Sequence, residues 1–197
     1  FEVVPEIAAF YMSIYEVPVF YFKDPPGEVG KIIEGIEDEP AYDLDWDDAV
    51  KYCNDRTAKI MYPGYNDGFR LPTKYEWEYA ASYDADQNNK EYSFRDFDFI
   101  DRTIANYYNS DETGGLFSVG HFDGEHPDTQ DAISSLGIYD LNGNVMEWCH
   151  DEGDDSNNTR ICKGGGFLNE ASGCRNKNEF IYSKNLFHKT IGFRMVL

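Results

Sequence analysis

Gly137-Ile-Tyr-Asp-Leu-Asn-Gly-Asn-Val-Met-Glu-Trp-Cys149 is followed by Lys163-Gly-Gly-Gly-Phe167 and then by Ile191-Gly-Phe-Arg194. Three punctuated blocks in that order make a frame. Between the second and the third, Leu168 to Thr190 shows neither helical nor strand period and mixes aromatic, amide and charged residues. A constant frame around an irregular filling reads as a scaffold carrying a binding surface.

The rest of the chain is consistent with one domain. Its 197 residues, 41% hydrophobic and 16% aromatic, suffice for one sizeable core. A formal charge of −20 makes phosphate backbones and anionic lipid poor partners, which argues against nucleic-acid binding. No stretch approaches the ~20 apolar residues of a bilayer span, so direct membrane insertion by this domain is not expected. The opening Phe-Glu-Val-Val-Pro-Glu lacks a basic n-region and runs into strand-like sequence, which suggests that a leader or tether is absent from the chain. Cys53, Cys149, Cys162 and Cys174 form no C-x-x-C pair; buried free thiols and two disulfides both remain open.

Ala9–Phe22, rich in aromatic and β-branched residues, predicts a strand bending at Pro18, and Pro25-Pro26-Gly27 breaks it. From Asp45 as N-cap, Trp46, Ala49, Val50 and Cys53 fall at helical spacing, predicting an amphipathic helix to about Ala58. Thr73 and Glu76 make a capping box ahead of a helix burying Trp77, Ala80 and Ala81, with no chemistry of its own. Ser82 to about Phe99 reads as a long surface excursion. Within it Asp84, Asp86 and Asn88 have calcium-loop spacing, but Asn89 and Arg95 stand where such a loop needs glycine and glutamate. From Thr103 onward, short apolar pieces between Gly, Asn and Asp turns predict short strands and ordered loops.

Several blocks resemble the formylglycine-generating-enzyme (sulfatase-modifying factor) family, in the same order over nearly the whole chain. They are Pro40–Cys53, Arg70-Leu-Pro-Thr with Glu76-Trp-Glu-Tyr-Ala-Ala81, Ala105-Asn-Tyr, Ser118-Val-Gly120, Gly137–Trp148, Lys163-Gly-Gly and Ile191-Gly-Phe-Arg194. The resemblance implies an α+β, C-type-lectin-like fold of that subtype, with two main helices, short antiparallel sheets and many ordered loops. Oxidases of the family bind copper through two cysteines after the glycine block. Aligned on Gly164-Gly165, the second falls on Cys174 and the first on Asn169. An amide oxygen is too hard to replace a thiolate on Cu(I), so no copper is expected. A further branch with histidine-bound iron carries it on a separate helical domain, and His121, His126, His150 and His188 lack metal spacing.

The resemblance also implies a structural calcium ion at Asp140, Glu147 and the carbonyls of Gly143 and Val145, with a second site at Asn106 and Tyr107. The alternative for the first site is a metal-free turn in which Glu147 caps local N–H groups. A second branch of the family, the variable proteins of diversity-generating retroelements of the treponeme type, is similar in its C-terminal skeleton. Lys163-Gly-Gly-Gly-Phe167, Asn169, Ala171, Cys174-Arg175 and Ile191–Arg194 follow that skeleton, with Gly166 and Phe167 departing from its Ser and Trp.

On that resemblance, the segment from about 163 to 194 carries the ligand contacts. The candidates are Phe167, Leu168, Glu170, Ser172, Gly173, Asn176, Asn178, Phe180, Ile181, Tyr182, Leu186, Phe187 and His188. Exposed rings supply rigid contact area and amides supply adaptable hydrogen bonds. The alternative for Phe180, Ile181, Tyr182 and Phe187 is a place in the core of the last strands.

The expectation is therefore a non-catalytic, monomeric protein that binds a protein or other surface ligand. Display at a bacterial cell surface, as a lipoprotein, is expected over a phage particle or the cytoplasm. The competing expectation is a copper-dependent formylglycine-generating oxidase working through Cys174 and a thiol such as Cys162.

Overall fold

The computed structural model describes residues 7–22, 38–59, 68–84, 90–108, 110, 114–154 and 158–197. Pro25-Pro26-Gly27, and Asp86 and Asn88 of the calcium-loop spacing, fall outside these.

Asp45 starts the first long helix, α2 (Trp46–Lys59), its carboxylate accepting the Asp48 amide at 2.9 Å. Asp47 and Asp48 place negative charge at the positive end of the helix dipole. The capping box of α3 (Lys74–Ser82) forms as the sequence predicts, with Thr73 Oγ1 accepting the Glu76 amide and Glu76 Oε2 accepting the Thr73 amide. Arg70 adds two hydrogen bonds to the same carboxylate, at 2.6 and 2.7 Å. Trp77, Ala80 and Ala81 are buried, as their spacing requires.

Between the two helices stands a mixed sheet. Strand β1 (Met146–Glu152) pairs antiparallel with β2 (Thr159–Lys163), and β2 pairs antiparallel with β3 (Phe180–Ser183). On its other side β1 takes the short β4 (Ile191–Gly192) in parallel, giving the order β3-β2-β1-β4. Alternate side chains of a strand face opposite ways, and β1 uses both faces. Trp148 joins Leu44, Ala49, Tyr52, Cys53 and Phe193 under α2. Cys149 joins Trp77, Ala80, Ala81, Leu141 and Ile161 under α3.

The N-terminal segment departs in part from expectation. Residues 11–17, bent at Ile14-Tyr15, bond to the chain's end, with Tyr11 and Leu197 exchanging two backbone hydrogen bonds and the Val17 amide donating to the Phe193 carbonyl. Past Pro18, however, Val19–Phe22 forms a single helical turn, α1, in place of the end of a strand. The excursion predicted over Ser82–Phe99 is corrected as well. Tyr92, Ser93 and Phe94 are 6, 2 and 2% exposed, and the two rings build a third core cluster with Ile104, Ala105, Phe122 and Cys174. Between 103 and 145 the described chain is held by turns and isolated bridges such as Phe94–Ser134 and Asp123–Asp131.

Candidate functional site

The frame of the C-terminal third is built on buried amides. Asn142 Oδ1 accepts from the Ser93 amide and hydroxyl at 2.7 and 2.6 Å, while its Nδ2 donates to the Cys174 carbonyl and to Asn176 Oδ1. Asn144 Nδ2 donates to Glu16 Oε2 at 2.9 Å, and its Oδ1 accepts from Asn106 Nδ2 and the Phe117 amide. Gly143 sits between them at φ +99, and a Cβ there would lie 2.3 Å from the Asn106 carbonyl oxygen. Only glycine fits at that approach. Each amide thus joins segments far apart in the chain, and none of its polar groups is wasted in the interior.

Asn169 closes the turn after the glycine block. Its Oδ1 accepts the Gly166 amide at 2.9 Å, its own amide donates to the Gly166 carbonyl, and its carbonyl accepts the Tyr108 amide at 2.8 Å. Gly165, at φ +68, lies so close to Cys174 that a Cβ would stand 2.8 Å from the sulfur. Burial pushes the Cys174 thiol up to about 12 and the Cys162 thiol well above its usual range. Both are therefore neutral thiols at pH 7, and they sit in different core clusters, Cys162 beneath α2 and Cys174 in the third cluster. All four cysteines are free and buried.

The candidate contact residues divide by burial. Leu168, Ile181 and Phe187 are 43, 49 and 54% exposed, and Glu170, Ser172 and His188 are exposed too. Gly173 and Asn178 are half-buried, with Asn178 Nδ2 donating to the Ser172 carbonyl. Two residues do not belong to an exposed face. Phe167 is 5% exposed beneath Lys189, whose ammonium lies 5.4 Å from the ring centre, and Asn176 is fully buried, donating to the carbonyls of Ala81 and Lys90.

Phe180, Tyr182 and Leu186 are half-buried and packed on the cluster beneath α2, so the core alternative describes them better. Ile181 points to the opposite side of β3, against Gly153. The remaining exposed candidates lie on two segments joined by one contact. Leu168, Glu170 and Ser172 lie on the turn and 3-10 helix (Ala171–Cys174); Phe187, His188 and Lys189 lie on the loop after β3 and meet that turn through the Lys189–Phe167 contact. Sequence reading missed Tyr108, 44% exposed and tied to Asn169 through its amide. Its place directly after Asn106-Tyr107 was the available signal.

The patch also differs electrostatically from the body. From 163 to 194 there are six basic residues and two acidic, on a chain of net charge −20. Two of the six are internal: Lys163 donates to Glu78 at 2.6 Å, and Arg194 is paired with Glu147. Arg175 pairs with Glu91 and Lys184 with Asp47, while Lys177 and Lys189 are exposed.

The two carboxylates expected to hold calcium are engaged by the protein's own donors. Glu147, fully buried, accepts from Arg194 Nε and Nη2 at 2.7 and 2.6 Å and from the Trp77 indole at 2.7 Å. Asp140 Oδ2 accepts the Gly120 amide at 2.5 Å, and burial pushes its carboxyl up to about 6 against the pull of that amide and Arg194. Calcium takes six to eight oxygens with carboxylates among them, and both Glu147 oxygens are already spent. Among the described residues no group of three or more His, Cys, Asp or Glu is arranged to hold a metal. As arranged, Asp140, Gly143, Val145 and Glu147 do not fit a calcium ion; the guanidinium supplies the positive charge there.

Residues 20–197 match the sulfatase-modifying factor enzyme 1-like domain. The chain belongs to that family. This sulfatase-modifying-factor domain is 29% identical to the chaperone protein LppX of Paenibacillus barcinonensis, over 84% of the chain and 72% of that protein. It is also 29% identical to the formylglycine-generating enzyme of Thermomonospora curvata, over 80% of the chain and 54% of the enzyme. Among solved structures it shares its fold with Treponema denticola variable protein 1, at a TM-score of 0.69 and 21% identity, covering 95% of the chain and 84% of that structure. The fold is thus α+β and C-type-lectin-like, of the formylglycine-generating-enzyme subtype. Among the described residues no helix is long and apolar enough to cross a membrane.

Proposed function

We propose that this domain is a non-catalytic ligand-binding protein whose segment 163–194 bears a diversified recognition surface, in the manner of diversity-generating-retroelement variable proteins, displayed at a bacterial surface. The observation that carries the reading is the division of that segment. Gly165, Asn169, Cys174 and Asn176 are committed to internal packing and hydrogen bonds, while Leu168, Glu170, Ser172, Phe187 and His188, with Tyr108 beside them, face outward. Apart from His188, whose ring bonds to the Thr190 hydroxyl and amide, the outward side chains hold no part of the frame, and exposed substitutions usually shift stability by less than ~0.5 kcal/mol. Large apolar rings beside polar groups suit a protein ligand. The test is to sequence this gene from several isolates. Differences should concentrate at the outward positions and spare the frame; differences spread evenly along the chain would sink the proposal.

The similarity to a formylglycine-generating enzyme favours a second reading, a copper-dependent oxidase. It requires a second thiolate near Cys174, and Asn169 stands in the aligned position with its side chain engaged by Gly166. Incubation with Cu(I) and a Cys-x-Pro-x-Arg peptide decides between the two. Formylglycine, detected as a mass loss at the peptide cysteine, would establish the oxidase.

A further inference from the structure

Ile7-Ala-Ala-Phe-Tyr-Met-Ser-Ile14 runs eight residues without a charge or a proline. Met12 bridges Val196 antiparallel, the Tyr11 amide and carbonyl both bond to Leu197, and the Ser13 amide donates to the Met195 carbonyl. Val196 pairs in turn with Arg70, so residues 11–13 are the outer member of this small array. A trans peptide points the C=O of one residue and the N–H of the next in opposite directions, and the described chain has no cis bond. The Phe10 carbonyl and both main-chain groups of Met12 therefore face away from the C-terminal segment. Among the described residues nothing bonds to them. Farther along, the same edge is closed at Ile14, whose carbonyl accepts the Tyr139 amide at 2.9 Å.

Phe10 and Met12 line a groove of about 570 Å³ whose other walls are Tyr79 and Ala80 of α3 and the chain at Leu136 and Ile138. No charged side chain and no residue of segment 163–194 lines it. Ile14, Tyr79 and Leu136 are 51, 45 and 41% exposed there, and Phe10 lies edge-on to Tyr79 at 6.3 Å. Proteins usually guard a free strand edge with charge or proline, and residues 7–14 carry neither. Unpaired main chain beside apolar walls is complementary to an extended peptide, whose backbone supplies the missing partners while alternate side chains enter the walls. Charge selects among such peptides. With −20 on the chain and no basic residue in the groove, a cationic strand is attracted, whereas a second copy of this chain meets its own charge.

We infer that this edge takes an extended basic segment of a partner protein as an added strand, its main chain on Phe10 and Met12 and its alternate apolar side chains against Tyr79 and Leu136. The site is separate from segment 163–194 and does not depend on the function proposed for it.

The probe is an acetylated and amidated Lys-Val-Lys-Val-Lys-Val peptide, titrated into the full chain and followed by calorimetry and by amide NMR with hydrogen exchange. Its comparisons are the same peptide with every amide N-methylated and a Glu-Val-Glu-Val-Glu-Val peptide. The expected result is saturable binding that slows exchange of the Met12 amide, with each comparison at least about tenfold weaker, the loss that missing hydrogen bonds or a reversed charge imposes. Met12→Pro removes the edge N–H and no hydrogen bond of the fold. It should bind at least about fivefold more weakly than Met12→Ala, which shortens the side chain and keeps the N–H. Leu136→Arg, at an exposed wall residue, should abolish binding of the basic peptide without lowering the melting temperature. Equal affinity for the N-methylated or the acidic peptide, or shifts confined to other residues, would overturn the inference. So would a concentration-dependent dimer that the peptide dissociates, which would give the edge to a second copy. Should Met12→Pro fail to fold, loss of binding in Leu136→Arg supports the site and unchanged binding refutes it.

Discussion

Replacing Arg194 by Met tests the heart of the fold. The guanidinium is fully buried and spends all five of its N–H donors: two on Glu147, one each on the carbonyls of Ser13, Ile14 and Tyr139. Arg194→Met keeps the apolar stem but removes the charge, leaving the buried carboxylate of Glu147 near those of Glu16 and Asp140, both held above their usual range chiefly by burial. Breaking a buried pair in this way costs about 3–5 kcal/mol, against a total stability of about 5–15 kcal/mol for a domain. For a chain of this length that is a fall in Tm of about 6–20 °C. Thermal unfolding followed by circular dichroism measures it. Glu147→Gln should cost a similar amount because it strands the guanidinium. The double variant Arg194→Met/Glu147→Gln should lose at least about 2 kcal/mol less than the sum of the two single changes, since neither buried charge is then left alone. Single losses below about 1 kcal/mol, or strict additivity, would refute the reasoning.

Gly143→Ala should lower the urea midpoint by an amount equivalent to about 2–5 kcal/mol, combining a backbone clash with the left-handed conformation; a midpoint within error of the parent would mean that Asn106 moves aside freely. Because Arg194 already fills the cationic role, adding millimolar calcium to chelator-treated protein should leave Tm within about 1 °C, and a rise of several degrees would show a cation entering at Asp140. His121, stacked on Phe117 at 4.3 Å and tilted against His126 at 4.5 Å, is held below its ordinary 6.5 by burial and by His126. Its neutral form is favoured in the fold, so its contribution is present above pH 6.5 and is lost as pH falls through its lowered value. Between pH 7 and 5 the parent should therefore lose more Tm than His121→Phe does, and parallel pH profiles would count against that account.

What was legible in the chain followed from how local each interaction is. The box of Thr73 and Glu76 spans three residues, and the cap of Asp45 lies within one turn of helix; both formed where the sequence put them. Residues whose partners are distant were misread. Ser93 looked like surface because its acceptor, Asn142, lies 49 residues on. Asn176 looked like an adaptable contact because the carbonyls it satisfies, on Ala81 and Lys90, are 95 and 86 residues back. Phe180 and Tyr182 alternate with Ile181, so a strand places them on the opposite face from it, but the sequence alone did not say which face meets α2. Family resemblance supplied the order of the blocks and the fold. It could not show that the side chain of Asn169 would latch the turn, nor that Tyr108 would stand beside it.

The parallel pairing of β4 with β1 bears on how the recognition segment can change in length. Ser183 ends β3 and Ile191 begins β4, at opposite edges of the order β3-β2-β1-β4, so the chain between them leaves and re-enters the sheet at points three strand spacings, roughly 14 Å, apart. Those anchor points are set by the sheet, and between them Lys184, Leu186 and His188 are tied back to the fold. Lengthening a flexible loop is cheap, about 0.6 kcal/mol for each doubling, so residues inserted between Ser183 and Lys189 would cost the fold little. On the proposed function, such a segment varies in reach as well as in side-chain chemistry.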